Sequence, residues 1–403
     1  MTLRGCRPMN PLHVALVTET YPPEVNGVSA TVSRVVEGLA NVGHHVQLVR
    51  PRQHEGDTPG NGGGVHEHLA RGMPIPGYPQ LRMGLPCRSA LVSLWRQQRP
   101  DVVHLVTEGP LGASALLAAR TLKLPVVSDF RTNFHVYSAH YGIGFLRRPL
   151  RAYLRGFHNR TAVTMVPTEA LRSELAATGF ERLRVVARGV DTQRFNPVRR
   201  SEALRRQWGA DERTLVALFV GRLAPEKNID TVLAAFDALR EDQPRARLVF
   251  VGDGPDRQRL QRLRPDAVFT GLQRGEALAA HYASADLFLF ASLTETFGNV
   301  VPEAMASGLA LLAYDHAAAA ELVRHGENGL LAGAGDRATF CALARRLAGD
   351  GDRVRQLGLH ARQTALGLDW GRIIDGVVRT YGEAIEAQAA AVDVPGASTF
   401  RLR

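Results

Sequence analysis

Short apolar runs of strand length alternate with longer amphipathic stretches along this chain, and the alternation starts a second time near its middle. Residues 13–18 predict a buried parallel strand, and residues 27–42 carry apolar side chains at helical spacing. The pattern restarts at 214–221, after a non-periodic connector at 191–197. Because strands that alternate with helices form parallel sheets with helices on both faces, the chain predicts two Rossmann-like α/β halves.

Further strands are predicted from short apolar runs in each half. In the first half they lie at 46–49, 102–106, 125–128, 163–166 and 184–186. In the second half they lie at 247–251, 268–270, 287–290 and 309–313. The segment 53–86 is rich in Gly, Pro and His, and it predicts a long loop with little regular structure.

This pattern divides the chain into a first domain at 1–190 and a second domain at 191–392, whose last helix is expected to pack back on the first. Residues 393–403 are predicted to form a disordered tail, and either Met1 or Met9 could be the true start. Ligands of such sheets bind at the carboxyl ends of the strands, so we expect the active site in the cleft between the two sheets.

The charge is distributed unevenly along the 403 residues, whose net charge is +10. Residues 1–190 contain 22 Lys and Arg against 12 Asp and Glu, whereas the remainder contains 27 of each. A basic half predicts contact with an anionic partner, either a membrane surface or a charged acceptor. Nucleic acid is not expected, because the sequence has no recognition-helix, RNP or zinc-finger pattern.

The number of cysteines and the hydropathy of the chain indicate in which cellular compartment the protein is expected. The three cysteines are far apart and form no CxxC pair, so neither a disulfide framework nor a zinc site is predicted. No secretory leader and no apolar stretch of spanning length is present. These features predict a cytoplasmic protein, with peripheral contact to the inner face of the membrane as a possibility left open.

Two acidic residues eight positions apart follow the strand predicted at 287–290. Glu295 is expected in the loop and Glu303 about one turn into a helix that begins near Asn299. Carboxylates accept hydrogen bonds from sugar hydroxyls, and the backbone amides of Phe297, Gly298 and Asn299 would favour an anion. The alternative is a pair of solvated acids near a helix start.

Basic residues and glycines follow two other predicted strands. Arg222 and Lys227 come directly after the strand at 214–221, where they could hold a diphosphate and stabilise a departing nucleotide without a metal. Gly27 opens the first helix, so its amide could meet a donor phosphate or the acceptor, with a plain helix cap as the alternative. The only D-x-D triplet, 350–352, is expected to be a surface turn, and no metal is predicted.

The string from Glu295 to Gly308 resembles the E-x7-E motif of retaining GT-B glycosyltransferases, particularly family 4, and the resemblance extends from Val14 to about Tyr381. It implies that Glu303 binds the nucleotide ribose, that Glu295 contacts the donor sugar, and that Arg222 and Lys227 lie in the diphosphate-binding stretch. It also implies a GT-B fold, a nucleoside-diphosphate sugar as donor and no bound cofactor. The amino-acid sequence of residues 18–27 resembles that of bacterial GDP-mannose-dependent mannosyltransferases, which act on lipid or glycan acceptors.

The sequence departs from this family where many relatives carry His-Thr. Aligned on Thr132, the chain has Arg131 in place of the histidine that contacts the donor sugar. Arginine cannot act as a general base near neutral pH, although it could stabilise a phosphate or a developing charge. His135 lies four residues later and is a second candidate for the cleft, with a structural role as the alternative.

Other functions stay open at this point. They are a UDP-sugar-dependent glucosyl- or galactosyltransferase, a GT-B-fold sugar-nucleotide epimerase, and a non-catalytic binder of sugar nucleotides or anionic surfaces. Residues 145–157 place apolar side chains on one helical face with arginines around it. Such a helix could lie on an anionic bilayer or pack into the core with a solvated basic edge.

Overall fold

The computed structural model describes residues 10–24, 26–75, 78–131 and 147–392. The earlier strands are β1 (His13–Val17), β2 (His45–Pro51), β3 (Asn61–Gly62), β4 (Val65–Ala70), β5 (Gly72–Ile75), β6 (Tyr78–Gly84), β7 (Val102–Leu105), β8 (Val126–Asp129), β9 (Val163–Val166) and β10 (Leu183–Val185). The later strands are β11 (Val216–Val220), β12 (Arg247–Val251), β13 (Val268–Phe269), β14 (Leu287–Phe290), β15 (Ala310–Tyr314) and β16 (Leu330–Ala332).

The helices that connect these strands are numbered in chain order. They are α1 (Gly27–Asn41), α2 (Arg88–Gln97), α3 (Pro110–Thr121), α4 (Arg147–His158), α5 (Glu169–Ala177), α6 (Glu202–Gln207), α7 (Ile229–Asp242), α8 (Arg257–Leu263), α9 (Gly275–Ala283), α10 (Val300–Ala306), α11 (Ala317–Leu322), α12 (Arg337–Ala348), α13 (Gly351–Leu366) and α14 (Trp370–Val392).

The first sheet has the strand order β10-β9-β8-β7-β1-β2-β4-β3, and all its pairs are parallel except β3 with β4. Its centre is built from β-branched residues such as Val14 and Val46, which lie opposite each other and are buried. Helices α2 and α3 cover one face, and α1 covers the other. The order reverses between β1 and β7, so the loops after these strands diverge and leave a crevice at their carboxyl ends.

The second sheet has the order β13-β12-β11-β14-β15-β16, with every pair parallel. Its strands are continuous apolar runs that are buried on both faces, as expected where helices cover both sides of a sheet. The order reverses between β11 and β14, and the predicted Arg222–Lys227 and Glu295–Glu303 stretches follow these two strands. The predicted pair of parallel α/β sheets is therefore confirmed.

The last helix, α14, lies against the first sheet although it follows the second sheet in the chain. Ile374, Val377 and Tyr381 pack with Val14 and Val36 in one apolar cluster. The polar end of Tyr381 is satisfied as well, because its hydroxyl lies 2.8 Å from Nδ1 of His104 on β7. This helix therefore completes the core on the α1 face of the first sheet. The tail predicted at 393–403 lies outside the described residues.

The prediction of an irregular loop at 53–86 is wrong, because this segment contains β3, β4 and the antiparallel pair β5–β6. The physical reason is an ion-pair cluster that apolar periodicity does not report. Arg50 is buried on β2, and its guanidinium lies 2.7 Å from Asp57 and 2.7 Å from Glu67 on β4. These charge-assisted hydrogen bonds hold β4 against β2 without the alternating apolar pattern of most strands.

Helix α4 contains most of the segment predicted to lie either on a bilayer or in the core. Leu154 and Phe157 are buried, whereas Arg148, Arg151 and Arg155 are exposed. The apolar face therefore packs into the protein and leaves a basic edge in solvent. Across the described ranges, no helix is long and apolar enough to cross a membrane.

Candidate functional site

The loop after β14 holds Glu295 in contact with Lys227, which follows β11. The Nζ atom of Lys227 forms an ion pair with Oε1 of Glu295, and the hydroxyl of Ser292 donates to the same oxygen over 2.9 Å. Burial alone would raise the pKa of Glu295, but Lys227 and Ser292 lower it below its ordinary value. Glu295 is therefore a fixed anion, and the two predicted motifs meet at the point where the strand order reverses.

Glu303 lies in the first turn of α10, in a different environment. The hydroxyl of Tyr282 on α9 donates to its Oε2 over 2.9 Å. Burial raises the pKa of Glu303 to about 7, although the hydrogen bond from Tyr282 acts in the opposite direction. The two acids therefore differ in charge state near neutral pH: Glu295 is ionised and Glu303 is close to half-protonated.

The turn between the two acids connects the second half of the chain to the first. Gly298 has φ +90°, a left-handed conformation that favours glycine, and it redirects the chain before α10. The side-chain amide of Asn299 donates to the carbonyl oxygen of Gly27 over 3.1 Å and to the hydroxyl of Thr31 over 3.0 Å. The predicted donor-binding turn and the start of α1 are thus in direct contact.

The stretch after β11 forms a compact basic turn. Pro225–Lys227 is a single 3-10 turn, and the side chain of Arg222 is 38 % exposed, with its Nη1 atom 3.5 Å from Glu226. Asn228 adopts a left-handed conformation and donates to the carbonyl oxygen of Ala291 over 3.2 Å. This bond fixes the turn to the end of β14. The exposed guanidinium and the Lys227–Glu295 pair therefore lie on one edge of the second sheet.

Glycine is required where the loops after β11 and β12 cross. A Cβ atom added to Gly252 would lie 2.0 Å from the carbonyl oxygen of Gly221, and Gly252 has φ +136°. No L side chain fits there without displacing the basic turn. The Gly-x-Gly-Pro turn at 252–255 thus has a packing role beside the predicted site.

Arg131 follows β8 and is held by a buried chain of polar groups. Its Nε atom donates to Oδ2 of Asp129 over 2.6 Å, and Nε2 of His104 lies 3.1 Å from the same oxygen. Burial would raise the pKa of Asp129, but Arg131 and His104 bring it well below its usual range. The chain ends at Tyr381 of α14, the tyrosine bonded to His104. His135, the second candidate, lies outside the described residues.

The structure adds Arg188, which the sequence analysis missed. This residue follows β10, is only 9 % exposed, and lines one cavity together with Asp129 and Arg131. Its guanidinium carbon lies 5.4 Å from the ring centre of Phe297, so it reaches the predicted donor-binding turn. Burial and the charge of Arg131 lower the pKa of Arg188 to about 9. Arg188 belongs to no recognisable sequence motif. Its position shortly after a predicted strand is the one feature of the sequence that could have indicated a place in the site.

In the part of the chain that the structure describes, no cluster of three His, Cys, Asp or Glu side chains is placed to bind a metal ion. The D-x-D triplet has structural roles: Asp350 caps α13 by accepting from the amide of Arg353 over 2.8 Å, and Asp352 pairs with Arg355.

Comparison with known proteins covers nearly the whole chain. Residues 25–194 match the family described as Glycosyltransferase Family 4, and residues 214–350 match that described as Glycosyl transferases group 1. The chain is 39 % identical over 375 residues to a GDP-mannose-dependent alpha-mannosyltransferase of Mycolicibacterium smegmatis, covering 92 % of this chain and 97 % of the relative. It is 38 % identical over 388 residues to the Mycobacterium tuberculosis protein of that name, covering 94 % and 98 %.

A solved structure supports the fold independently. Sucrose-phosphate synthase from Thermosynechococcus elongatus superposes with a TM-score of 0.78 at 19 % identity, over 93 % of this chain and all of that one. At such low identity the likeness concerns the fold alone, the two-sheet arrangement called GT-B.

Proposed function

The chain belongs to the group 1 and family 4 glycosyltransferases, and from that premise we propose that it transfers a mannosyl group from GDP-mannose to a lipid or glycan acceptor, with retention of configuration. The observation that supports this activity best is the meeting of the Arg222–Lys227 and Glu295–Glu303 stretches at the switch point of the second sheet. The identity of 38–39 % to two GDP-mannose-dependent mannosyltransferases supports the choice of donor.

The basic turn would hold the donor diphosphate. Arg222 presents an exposed guanidinium, whose planar donors suit phosphate oxygens, and Lys227 adds a point charge beside it. When the bond to the sugar breaks, negative charge develops on the leaving phosphate. Fixed cations at that position stabilise the charge without reorganising during the reaction.

The two acids would bind different parts of the donor. Glu295 stays ionised beside Lys227 and would accept hydrogen bonds from the sugar hydroxyls. Glu303, positioned by Tyr282, would accept from the ribose hydroxyls. Gly27 and the backbone of Phe297, Gly298 and Asn299 would line the space between sugar and phosphate.

The reaction would proceed on one face of the sugar. The acceptor hydroxyl attacks the anomeric carbon on the side from which the nucleotide leaves, and the departing phosphate oxygen takes the hydroxyl proton. No protein base is needed in this scheme, so Arg131 in place of the family histidine is compatible with it. Arg131 would instead stabilise negative charge near the reacting centre.

Replacement of the Lys227–Glu295 pair tests this assignment. We expect Lys227→Ala and Glu295→Ala each to abolish mannosyl transfer. The pair is largely buried, so a single replacement also strands one charge, at a cost of about 3–5 kcal/mol in unfolding free energy. The double variant Lys227→Met/Glu295→Gln leaves no unpaired charge at this position. A loss of activity in this variant is therefore due to the missing side chains and not to unfolding. Full activity in that folded double variant would contradict the assignment, and Glu327→Gln, an exposed acid, is the matched control.

The donor is tested by binding GDP-, UDP- and ADP-sugars in parallel. Preferential thermal stabilisation by GDP-mannose supports the proposal, whereas preference for a UDP-sugar would favour a glucosyl- or galactosyltransferase. Product analysis with and without acceptor separates transfer from epimerisation. A protein that binds the donor but neither hydrolyses nor transfers the sugar would be a non-catalytic binder.

Contact with an anionic membrane surface is part of the same proposal, because it would bring a lipid acceptor to the cleft from the cytoplasmic side. The exposed arginines of α4 support it, whereas the buried Leu154 and Phe157 make the contact electrostatic rather than inserted. We expect sedimentation with anionic but not neutral vesicles, and loss of binding when Arg148, Arg151 and Arg155 are all changed to Gln. Equal binding to neutral vesicles would contradict an electrostatic contact.

A further inference from the structure

Two buried guanidinium groups line one cavity between the first sheet, α1 and α14. Arg131 follows β8 and Arg188 follows β10, and each is only 9 % exposed. Such burial is unusual for arginine unless its donors are used. The cavity is also lined by Thr31 of α1 and Trp370 of α14, so it lies beside the contact between Asn299 and α1.

The charges around the cavity do not balance. Asp129 is occupied by Arg131 and His104, and Glu295 is occupied by Lys227 and Ser292. Arg188 forms no hydrogen bond or ion pair with any residue in the described ranges, and its guanidinium lies over the ring of Phe297. Among the lining residues, two guanidinium groups therefore face one carboxylate, and the excess charge resides on Arg188. A buried charge without a counter-charge is costly, so its presence points to an anion supplied from outside the protein.

The orientation of Arg131 supports the same conclusion. Asp129 engages its Nε and Nη2 atoms, which leaves Nη1 buried without a hydrogen-bond partner. The guanidinium cannot rotate freely, since Asp129 is itself fixed by His104 and, through it, by Tyr381. A rigid donor therefore remains unsatisfied next to a second unsatisfied guanidinium.

We propose that Arg131 and Arg188 together form a subsite for one oxyanion, a phosphate or carboxylate group carried by the substrates. The proposal rests on the glycosyl-transfer function above and deepens it, because it gives the substrates an anionic group that this cavity recognises. Two sources share this chemistry: an acidic group on the acceptor, and a phosphate of the donor. Both arginines lie on the first half of the chain, whereas the Arg222–Lys227 turn that would hold the diphosphate lies on the second, which favours the acceptor.

Calorimetry with inorganic phosphate, in the presence and absence of saturating GDP, tests the subsite and its source. We compare the wild type with Arg131→Gln and Arg188→Gln, and use Arg206→Gln, an exposed arginine on α6, as the control for net charge. If the acceptor supplies the oxyanion, phosphate binds the GDP-saturated wild type and binds about tenfold more weakly to both cleft variants. If the donor supplies it, GDP excludes phosphate, and the affinity for GDP falls about tenfold in the same two variants.

The proposal is overturned if neither phosphate binding nor GDP affinity changes in the cleft variants, or if Arg206→Gln changes them equally. Arg188→Lys keeps the charge but loses the planar fork, so it should give an intermediate loss and serves if the Gln variant does not fold. Mannosyl transfer by the wild type is measured separately. If phosphate binding depends on both arginines but the protein transfers no mannose, the proposed function is refuted and the subsite stands. If the protein transfers mannose but phosphate binding does not depend on the arginines, the subsite is refuted and the proposed function stands.

Discussion

Binding of GDP-mannose should depend on the protonation state of Glu303. The pKa of this carboxyl is raised to about 7, and in the proposed donor site only its ionised form would accept hydrogen bonds from both ribose hydroxyls. The favourable contact is therefore present above pH 7 and is lost as the pH falls through 7. With a pKa of about 7, roughly nine-tenths of the carboxyl is ionised at pH 8 and roughly one-tenth at pH 6, a tenfold loss of affinity or about 1.4 kcal/mol.

Calorimetric titration of GDP-mannose without acceptor, from pH 6 to pH 8, measures this change. The diphosphate of GDP-mannose is a diester and does not titrate in this window. Glu295 and Asp129 do not titrate either, because their pKa values are lowered. We expect the tenfold change in the wild type, and weaker but pH-independent binding in Glu303→Gln.

A second carboxyl provides a matched control for this experiment. Burial also raises the pKa of Glu19 to about 7, where it accepts from the amide of Leu111 over 2.8 Å at the start of α3. Glu19→Gln should therefore retain the full pH dependence of donor binding. The reasoning is refuted if the wild type binds equally at pH 6 and pH 8, or if the pH dependence survives in Glu303→Gln and disappears in Glu19→Gln.

Three further predictions concern neighbouring features. Tyr282→Phe removes the hydrogen bond that favours ionised Glu303, so the midpoint of the pH-dependent binding curve should move up by about one pH unit; an unmoved midpoint would contradict the role of Tyr282. Gly252→Ala places a methyl group against the carbonyl of Gly221, and denaturant titration should show a loss of at least about 2 kcal/mol in unfolding free energy, whereas Gly349→Ala, with open space around it, should change little. Asn299→Ala removes both hydrogen bonds to α1 and should lower kcat/KM for GDP-mannose about fivefold, with a smaller loss in Thr31→Val; unchanged values in both would show that this contact does not matter for turnover.

Much of the fold was predictable because the buried strands are short and apolar on both faces. The strands at 163–166, 247–251 and 287–290 have the predicted bounds, since each is a short run made mostly of apolar β-branched, aromatic or aliphatic residues. Strands β4 to β6 were missed, because they are held by ion pairs to Arg50 and by pairing with neighbours far along the chain or across a turn. The domain boundary at residue 190 stays a prediction.

The candidate site was predictable where chemistry lies within one continuous motif. Glu295, Glu303, Arg222 and Lys227 are read from strings that directly follow strands, and parallel strands bring such loops to one edge. Arg188 was not predictable in this way, because its shared cavity with Arg131 and its contact with Phe297 exist only in the folded chain. The pKa of Glu303 likewise depends on burial, which the spacing of the two acids does not report.

The return of α14 to the first sheet also bears on synthesis of the chain. Ile374, Val377 and Tyr381 belong to the apolar cluster that contains Val14 and Val36. A ribosome-bound chain that has emerged only to residue 366 has every strand of both sheets but leaves this cluster uncovered on its α14 side. The first half therefore cannot reach its final stability until α14 has been synthesised, and it presents apolar surface to chaperones until that helix packs.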